Sequence, residues 1–349
     1  MFRILTYLGT GLVAALMVVG AVVYFTPAGQ DALFSRAIVA LLPSGEAEKI
    51  NGMRVVVCGS ASPLGNDPSR AQACIAVLTD DHFFLFDVGA RSPIRMAQAG
   101  LPMARLSGVF LTHYHSDHIA SLPDVNLQTW VQGREGPLNV YGPVGIDTVV
   151  GGFNIAYQLD RQYRTAHHGP DLLPPQNGPM NAVTIPTDDV VWTDGALTIR
   201  SFTVEHSPIE PAVGYRIDFA GRSVVISGDT NSTKSLWSAA KDADLVLHDA
   251  LSRTILDQMI AGADAAQIPV MPTIMRDVID YHADATTLEA QAKAAGVKQL
   301  AYYHLVPVPA NALAERMFAR GLSTNTLLVK DLHTFDLPAN STELLIHEP

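Results

Sequence analysis

The run His113-Tyr114-His115-Ser116-Asp117-His118 places three imidazoles and a carboxylate within six residues, directly after the apolar stretch 106–112. Buried without partners, such groups each cost on the order of several kcal/mol, and a metal cation is the partner that satisfies all of them together. Alternation along an extended segment sends His113 and His115 to one side. Asp117 and His118 follow where the chain turns toward a helix, within reach of a second ion. Each ion needs roughly three or four donors, and three later residues offer them from strand ends. His206 follows the apolar segment 199–204, Asp229 stands in Ile226-Ser227-Gly228-Asp229-Thr230, and His304 follows Leu300-Ala301-Tyr302-Tyr303. Ligands projected from strand ends onto a common rim are the usual arrangement of open α/β sites.

The elements that must position these residues read as α/β. Short apolar strands are predicted over 53–58, 73–79, 83–88 and 106–112, and again over 190–192, 196–204, 213–219, 223–227, 245–247 and 299–303. Helices are predicted over 118–131, 232–240, 252–261 and 286–295, the last with Gly296 as its C-terminal cap. Residues 151–183, rich in Pro and Gly and containing His167-His168, read as an insertion over the active-site face.

The histidine run, the isolated His206 ahead of Gly214-Tyr215-Arg216, the Ser227-Gly228-Asp229-Thr230 segment and the late His304 together resemble the metallo-β-lactamase fold superfamily. The spacing resembles most its ribonuclease Z branch and that branch's arylsulfatase-like and cyclic-nucleotide phosphodiesterase relatives. The resemblance covers residues 53–349 and implies an αββα sandwich of two mixed sheets flanked by helices. It implies that His113, His115 and His206 hold one ion, that Asp117, His118 and His304 hold the other, and that Asp229 bridges them. A hydroxide between the ions would be the nucleophile. Two zinc ions suit this set, with manganese and iron left open. The resemblance further gives catalytic roles to Asp117 and to His282, whose imidazole can assist the leaving oxygen. Asp87 is expected to hold the histidine loop by hydrogen bonds. His248, in Leu247-His248-Asp249-Ala250, is open between support behind the ligands and simple packing. His82, His333 and His347 have no companion ligands and read as surface or edge residues, and His167-His168 as solvated.

Composition bounds the partners. With a formal net charge of −11 and six lysines that do not cluster along the chain, nucleic acid is not the expected partner. The segment 151–183 has Arg161 and Arg164 and no lysine, unlike the basic arm of transfer-RNA-processing relatives. The Tyr303–Pro307 segment resembles the arylsulfatase-like relatives, so the expected reaction is hydrolysis of small sulfate or phosphate esters, the alternative being a ribonuclease Z-type phosphodiesterase. A dimer is compatible with the sequence but not specified by it. A metal-stabilised binding protein without activity is the reading from another class, and the complete ligand set with His282 speaks against it.

Residues 4–25 contain no charged side chain and would reach about 33 Å as a helix, the thickness of a bilayer core. That length favours an uncleaved single-pass anchor over a signal peptide. Arg3 on its N-terminal flank places the bulk of the chain outside, on the periplasmic face of a bacterial inner membrane; secretion after cleavage is the alternative. The expected organisation is an anchor over 1–30, a juxtamembrane helix and linker over 31–52, and a hydrolase domain over 53–349. Cys58 and Cys74 read as two small core residues, and a bridge between them stays open.

Overall fold

The computed structural model describes residues 16–41, 49–65 and 67–349. The chain divides into two units, Met1–Glu48 and Lys49–Pro349. In the first, helix Leu16–Phe25 gives way after Thr26 to helix Pro27–Leu41, the two bent by 85°. Thr26 caps the second helix, accepting from Gly29 N at 3.2 Å, and Pro27 supplies the ring that fits a first helical turn. Among the described residues no single helix is long and apolar enough to cross a membrane, although the bent pair passes that test when taken together. Residues 4–15 of the expected anchor and the expected linker at 43–45 lie outside the described residues.

The second unit is built on two mixed sheets. Its strands are β1 Met53–Gly59, β2 Cys74–Leu78, β3 Phe83–Phe86, β4 Gly108–Phe110, β5 Leu138–Gly142, β6 Met180–Thr184, β7 Val190–Asp194 and β8 Leu197–Thr203. They continue with β9 Val213–Phe219, β10 Arg222–Ile226, β11 Leu245–Leu251, β12 Gln299–Val306, β13 Leu327–Leu328, β14 Thr334–Leu337 and β15 Leu345–His347. One sheet runs β15-β14-β1-β2-β3-β4-β5-β6 and the other β13-β12-β11-β10-β9-β8-β7. Each half of the chain follows the same plan: an antiparallel meander, β1-β2-β3 or β7-β8-β9-β10, leads into parallel strands.

Alternation within nearly all-apolar strands explains why the sheets are covered on both faces. In β1, Val55 and Val57 turn inward to a core shared with Tyr215, Ile226 and Leu247 of the other sheet. Val56 and Cys58 turn outward, under Met96, Leu122 and Ile146 of the covering helices. The outer face of the second sheet is covered likewise, Val225, Val246 and Tyr302 packing against Leu236, Leu288 and Phe318. The result is the expected αββα sandwich.

Two expectations are corrected here, and one question that stayed open is answered. Residues 151–183 are not an irregular cover. Helices Ile146–Ala156 and Gln158–His168 occupy the first part, and β6 pairs in parallel with β5 as a strand of the first sheet. The Pro and Gly that suggested irregularity are concentrated at 169–179, a connection. Cys58 and Cys74 are bridged, with Cα atoms 4.9 Å apart across the β1–β2 pair, and both are fully buried. The antiparallel register of that pair, Arg54 opposite Leu78 through Val57 opposite Ile75, brings Cys58 up against Cys74, and their spacing in sequence does not reveal that register. His333, expected at the surface, is buried, with its Nδ1 accepting from Lys330 N at 3.0 Å.

Candidate metal centre and active site

All seven expected ligands converge. His113, His115, His206 and Asp229 form one group whose donor atoms lie within 4.8 Å of one another, and Asp117, His118, Asp229 and His304 form a second. Asp229 belongs to both.

Local structure explains each placement. Beyond β4, the backbone N–H and hydroxyl of Thr112 donate to Asp87 at 2.9 and 2.8 Å. Tyr215 Oη donates to Leu111 O at 2.6 Å and ties the same segment to the opposite sheet. The chain then starts the short helix Ser116–Ile119, which carries Asp117 and His118. Asp229 follows Gly228, whose φ of +64° and whose absent Cβ, only 2.9 Å from Thr112 Cβ if present, let the strand end approach the histidine loop. His304 is the extra residue in β12: Tyr303 pairs with Asp249 and Leu305 with Ala250, so His304 bulges out of the ladder at φ 43°. A bulge re-aims a side chain, and here it turns His304 toward Asp117, 3.0 Å away.

The outward nitrogens of three imidazoles are committed. His206 Nδ1–H donates to the carbonyl of Tyr281 at 3.1 Å, and His118 Nδ1–H donates to Asp87 Oδ2 at 2.8 Å. His113 Nδ1–H donates to Thr112 Oγ1 at 3.1 Å, that hydroxyl's own proton being given to Asp87. The rings of His113 and His206 therefore present Nε2 inward as a lone pair, whereas His118 Nε2 faces Asp229 Oδ2 at 3.2 Å. Around His115 Nδ1, His113 Nε2 lies at 3.0 Å and His206 Nε2 at 3.3 Å. One proton on His115 satisfies one of those lone pairs and leaves the other facing nitrogen. In the second group, Asp229 Oδ1 and His304 Nδ1 are buried without a hydrogen-bond partner.

The charges agree with this geometry. Burial first, and neighbouring imidazoles with it, hold His113 well below its ordinary pKa; burial likewise lowers His115 and His206. Burial opposes ionisation of Asp117 and Asp229, but His118 and His304 outweigh it and both carboxyls are held far down. Against burial, the same carboxylates raise His118 and His304. Neutral imidazoles and ionised carboxylates are the forms that ligate metals, so a bound ion would take the place of the protons on those two rings. A divalent cation in each group would satisfy the facing nitrogens and the orphaned atoms, so the donor set fits divalent metal ions.

His282 stands against the same cluster, its ring 5.4 Å from that of His206 and 5.5 Å from that of His304. Its Nδ1 lies 2.8 Å from Oδ2 of the fully buried Asp249. Asp249 is the residue that sequence reasoning did not single out. The available sign was a carboxylate inside the apolar β11, since a buried charge needs a partner. Burial works against its ionisation, yet hydrogen bonds from His248 and His282 hold its pKa below the ordinary range. His248 itself packs on Trp237, rings 5.7 Å apart, and touches Asp249, so it stands behind the site rather than in it. His82 bonds to Asp194 and His347 to Asp336, and His167 and His168 are exposed at a helix end, none of them among the cluster donors.

A cavity of about 360 Å³ opens onto the centre, bounded by His115, Asp117, Asp229, His282 and His304. Its other wall is apolar, made by Pro63, Leu64, Met271, Ile274, Val278 and Val306. The cover thus comes from helix Met271–Val278, and no residue of 151–183 lines it.

Residues 82–305 match the beta-lactamase superfamily domain. The ribonuclease Z of Mycobacterium bovis (strain BCG / Pasteur 1173P2) is 36% identical over 258 residues, 73% of this chain and 86% of that protein. The ribonuclease Z of Mycobacterium avium (strain 104) is 33% identical over 83% of this chain and the whole of its own length, 100%. Among solved structures, the short form of human tRNase Z superposes with a TM-score of 0.57 at 18% identity, covering 82% of this chain and 99% of that one. The metallo-beta-lactamase fold protein YhfI of Bacillus subtilis gives 0.56 at 19%, covering 81% and 98%. Fold, donor set and sequence relatives agree, and the chain is a metallo-hydrolase that belongs to the metallo-β-lactamase fold superfamily, in its ribonuclease Z branch.

Proposed function

We propose that the chain is a phosphodiesterase of the ribonuclease Z type that cleaves RNA at a centre of two divalent metal ions, zinc being the ion this donor set suits. The expectation that nucleic acid is not a partner gives way, because the relatives that match most of the chain's length are named ribonuclease Z. No such support comes to the arylsulfatase-like reading. The observation that carries the proposal is Asp229 shared between two four-residue donor groups.

In this reading His113, His115 and His206 with Asp229 hold one ion, and Asp117, His118 and His304 with Asp229 hold the other. Ions bound there supply Lewis acidity and neutralise the charge that builds on the attacked phosphate. The protein's own part is positioning and proton transfer. Asp87 and the Tyr281 carbonyl fix the rings of His118 and His206. With Nδ1 of His282 bonded to Asp249, Nε2 is the atom left to give a proton to the departing oxygen. Asp117 lies 3.0 Å from His304 and 3.4 Å from His118, where it serves as ligand and orients a water for attack.

One observation favours a second reading. The apolar wall of the cavity has no Lys or Arg among its described residues and suits a small ester with an apolar group. The test is a substrate panel with the purified full chain: a hairpin RNA with a 3′ single-stranded extension, bis(4-nitrophenyl) phosphate and 4-nitrophenyl sulfate. The expected result is cleavage of both phosphodiesters, with the RNA favoured in kcat/KM. Turnover of the sulfate without any cleavage of RNA would establish the second reading instead.

A further inference from the structure

The chain has six lysines, and in sequence they are scattered. Folding gathers three of them, Lys234, Lys241 and Lys293, around one open cavity of about 700 Å³. Lys234 and Lys241 are seven positions apart, two helical turns, which puts them on one face at helix Lys234–Ala239 and just past its end. Lys293 arrives on the last turn of helix Ala285–Ala294. Among the described residues no carboxylate pairs with any of the three, whereas Lys298 is bound to Asp244 at 2.8 Å and Lys330 to Glu315 at 3.0 Å. Asp242 is the one carboxylate among the described residues that lines the cavity.

Three ammonium groups without a carboxylate partner among the described residues thus line one concave surface of a protein whose net charge is −11. They repel one another, so an anion between them is the stabilising occupant. The carbonyls at the end of helix Lys234–Ala239, which would repel an anion, are capped by Arg216, whose Nη1 donates to Ala239 O at 2.6 Å and Lys241 O at 3.0 Å. The neutral polar side chains on the same wall are bonded to one another, Trp237 Nε1 donating to Ser232 Oγ at 2.7 Å and Ser232 Oγ to Gln291 Oε1 at 2.6 Å, which leaves the lysines as the groups that face an anion.

The cavity is coupled to the metal centre by a short stretch of chain. Lys234 follows Asp229 by five residues, so their Cα atoms lie within about 18 Å. Asn231, between them, donates to Asp280 O at 2.6 Å, two residues from His282. A nucleic-acid strand advances about 3.4 Å per base step in a duplex, so the span from Asp229 to Lys234, at the near end of the cavity, corresponds to about five steps, and Lys241 and Lys293 extend the track beyond it.

We infer that this lysine cavity binds the phosphate backbone of the RNA substrate a few nucleotides from the scissile bond. The inference rests on the ribonuclease reading above. It gives an acidic protein a local basic surface, and it accounts for substrate holding without a basic arm at 151–183.

The test compares the full-length, metal-loaded protein with the triple variant K234Q/K241Q/K293Q and with a control, R200Q/R253Q/R320Q, that removes three charges outside the cavity. KM for the hairpin RNA and for bis(4-nitrophenyl) phosphate is measured between 50 and 200 mM salt. Every phosphate left without its ammonium partner takes about 0.7 from the salt slope for single strands, so three phosphates amount to about a twentyfold difference over that range. The expected result is a raised RNA KM and a flattened salt slope in the triple variant only, with kinetics on the small diester and metal content unchanged. Equal RNA KM and slope in the triple variant and the wild type would overturn the cavity as a binding site while leaving the ribonuclease reading intact. A wild type that cleaves the small diester but no RNA would overturn both. Equal losses in triple variant and control would overturn the local site in favour of overall charge.

Discussion

Asp249 Oδ2 and His282 Nδ1 are 2.8 Å apart at the foot of the metal-centre cavity, a fully buried carboxylate fixing the one histidine of the cluster that belongs to neither donor group. A carboxylate in this position fixes the ring orientation and turns Nε2 away from Asp249. Replacing His282 by Ala is expected to cut kcat for RNA by about 10²–10⁴, the usual worth of general acid catalysis. Loss on bis(4-nitrophenyl) phosphate should be far smaller, because nitrophenolate departs without a proton. D249N should reproduce that leaving-group dependence in weaker form and shift the pH profile, with metal content unchanged. Metal loss in H282A would assign His282 to the ligands instead.

Asp229 and Asp87 separate ligand from support. D229A removes a donor from both groups, and metal analysis after desalting should show less than one ion per chain with activity lost. D87N keeps every candidate ligand but deprives His118 Nδ1 of its acceptor. It should weaken metal affinity by about 10–100-fold, the usual cost of losing a partner behind a ligand. Activity of D87N should then return at high added metal, and that of D229A should not.

How much of this was legible follows from how each residue is carried. The ligands were readable because His113, His115, Asp117 and His118 are nearly contiguous. His206, Asp229 and His304 could be read because each is polar at the close of an apolar strand. The sandwich was readable from the same strands. Asp249 was not, because it lies within a seven-residue strand buried at every position, and its link to the site, His282, arrives from a segment 33 positions later. The lysine cavity was invisible for a different reason: Lys241 and Lys293 are 52 positions apart and meet only through packing of two helices. The Cys58–Cys74 bridge depended on the register in which β1 and β2 pair, which no spacing rule reveals.

The disulfide closes a loop with a sequence separation of 16. Constraint of the unfolded chain by a loop of that size is worth about 3 kcal/mol. C58A/C74A is therefore expected to lower the unfolding free energy by about that much, plus the effect of two vacated core positions. Protein isolated from its own host should show no free thiol when denatured without reductant. One or two free thiols would mean that the bridge does not form there.

Asp244 gives the pH dependence of stability a defined origin. It accepts from the buried Arg222 Nε at 3.2 Å, from Ser223 N at 2.8 Å and from Lys298 Nζ at 2.8 Å. Partial burial raises its pKa, but these three partners outweigh burial and hold the carboxyl below its ordinary value of 3.8. A carboxyl depressed in the folded state stabilises the fold fully above its unfolded pKa, and that contribution disappears as pH falls through the folded one. In D244N, Arg222 keeps only the carbonyls of Pro338 and Glu343 at 3.2 and 2.6 Å, with its Nη2 already lacking a partner. Breaking such a buried pair costs about 3–5 kcal/mol. Urea unfolding of wild type and D244N should differ by that amount at pH 7, with the gap beginning to narrow below about pH 4 and closing as pH falls through the lower folded-state pKa, where protonated Asp244 makes the wild type resemble the variant. A gap that stays constant from pH 7 to pH 3 would show that the carboxylate's charge contributes nothing and that the loss is one of packing alone.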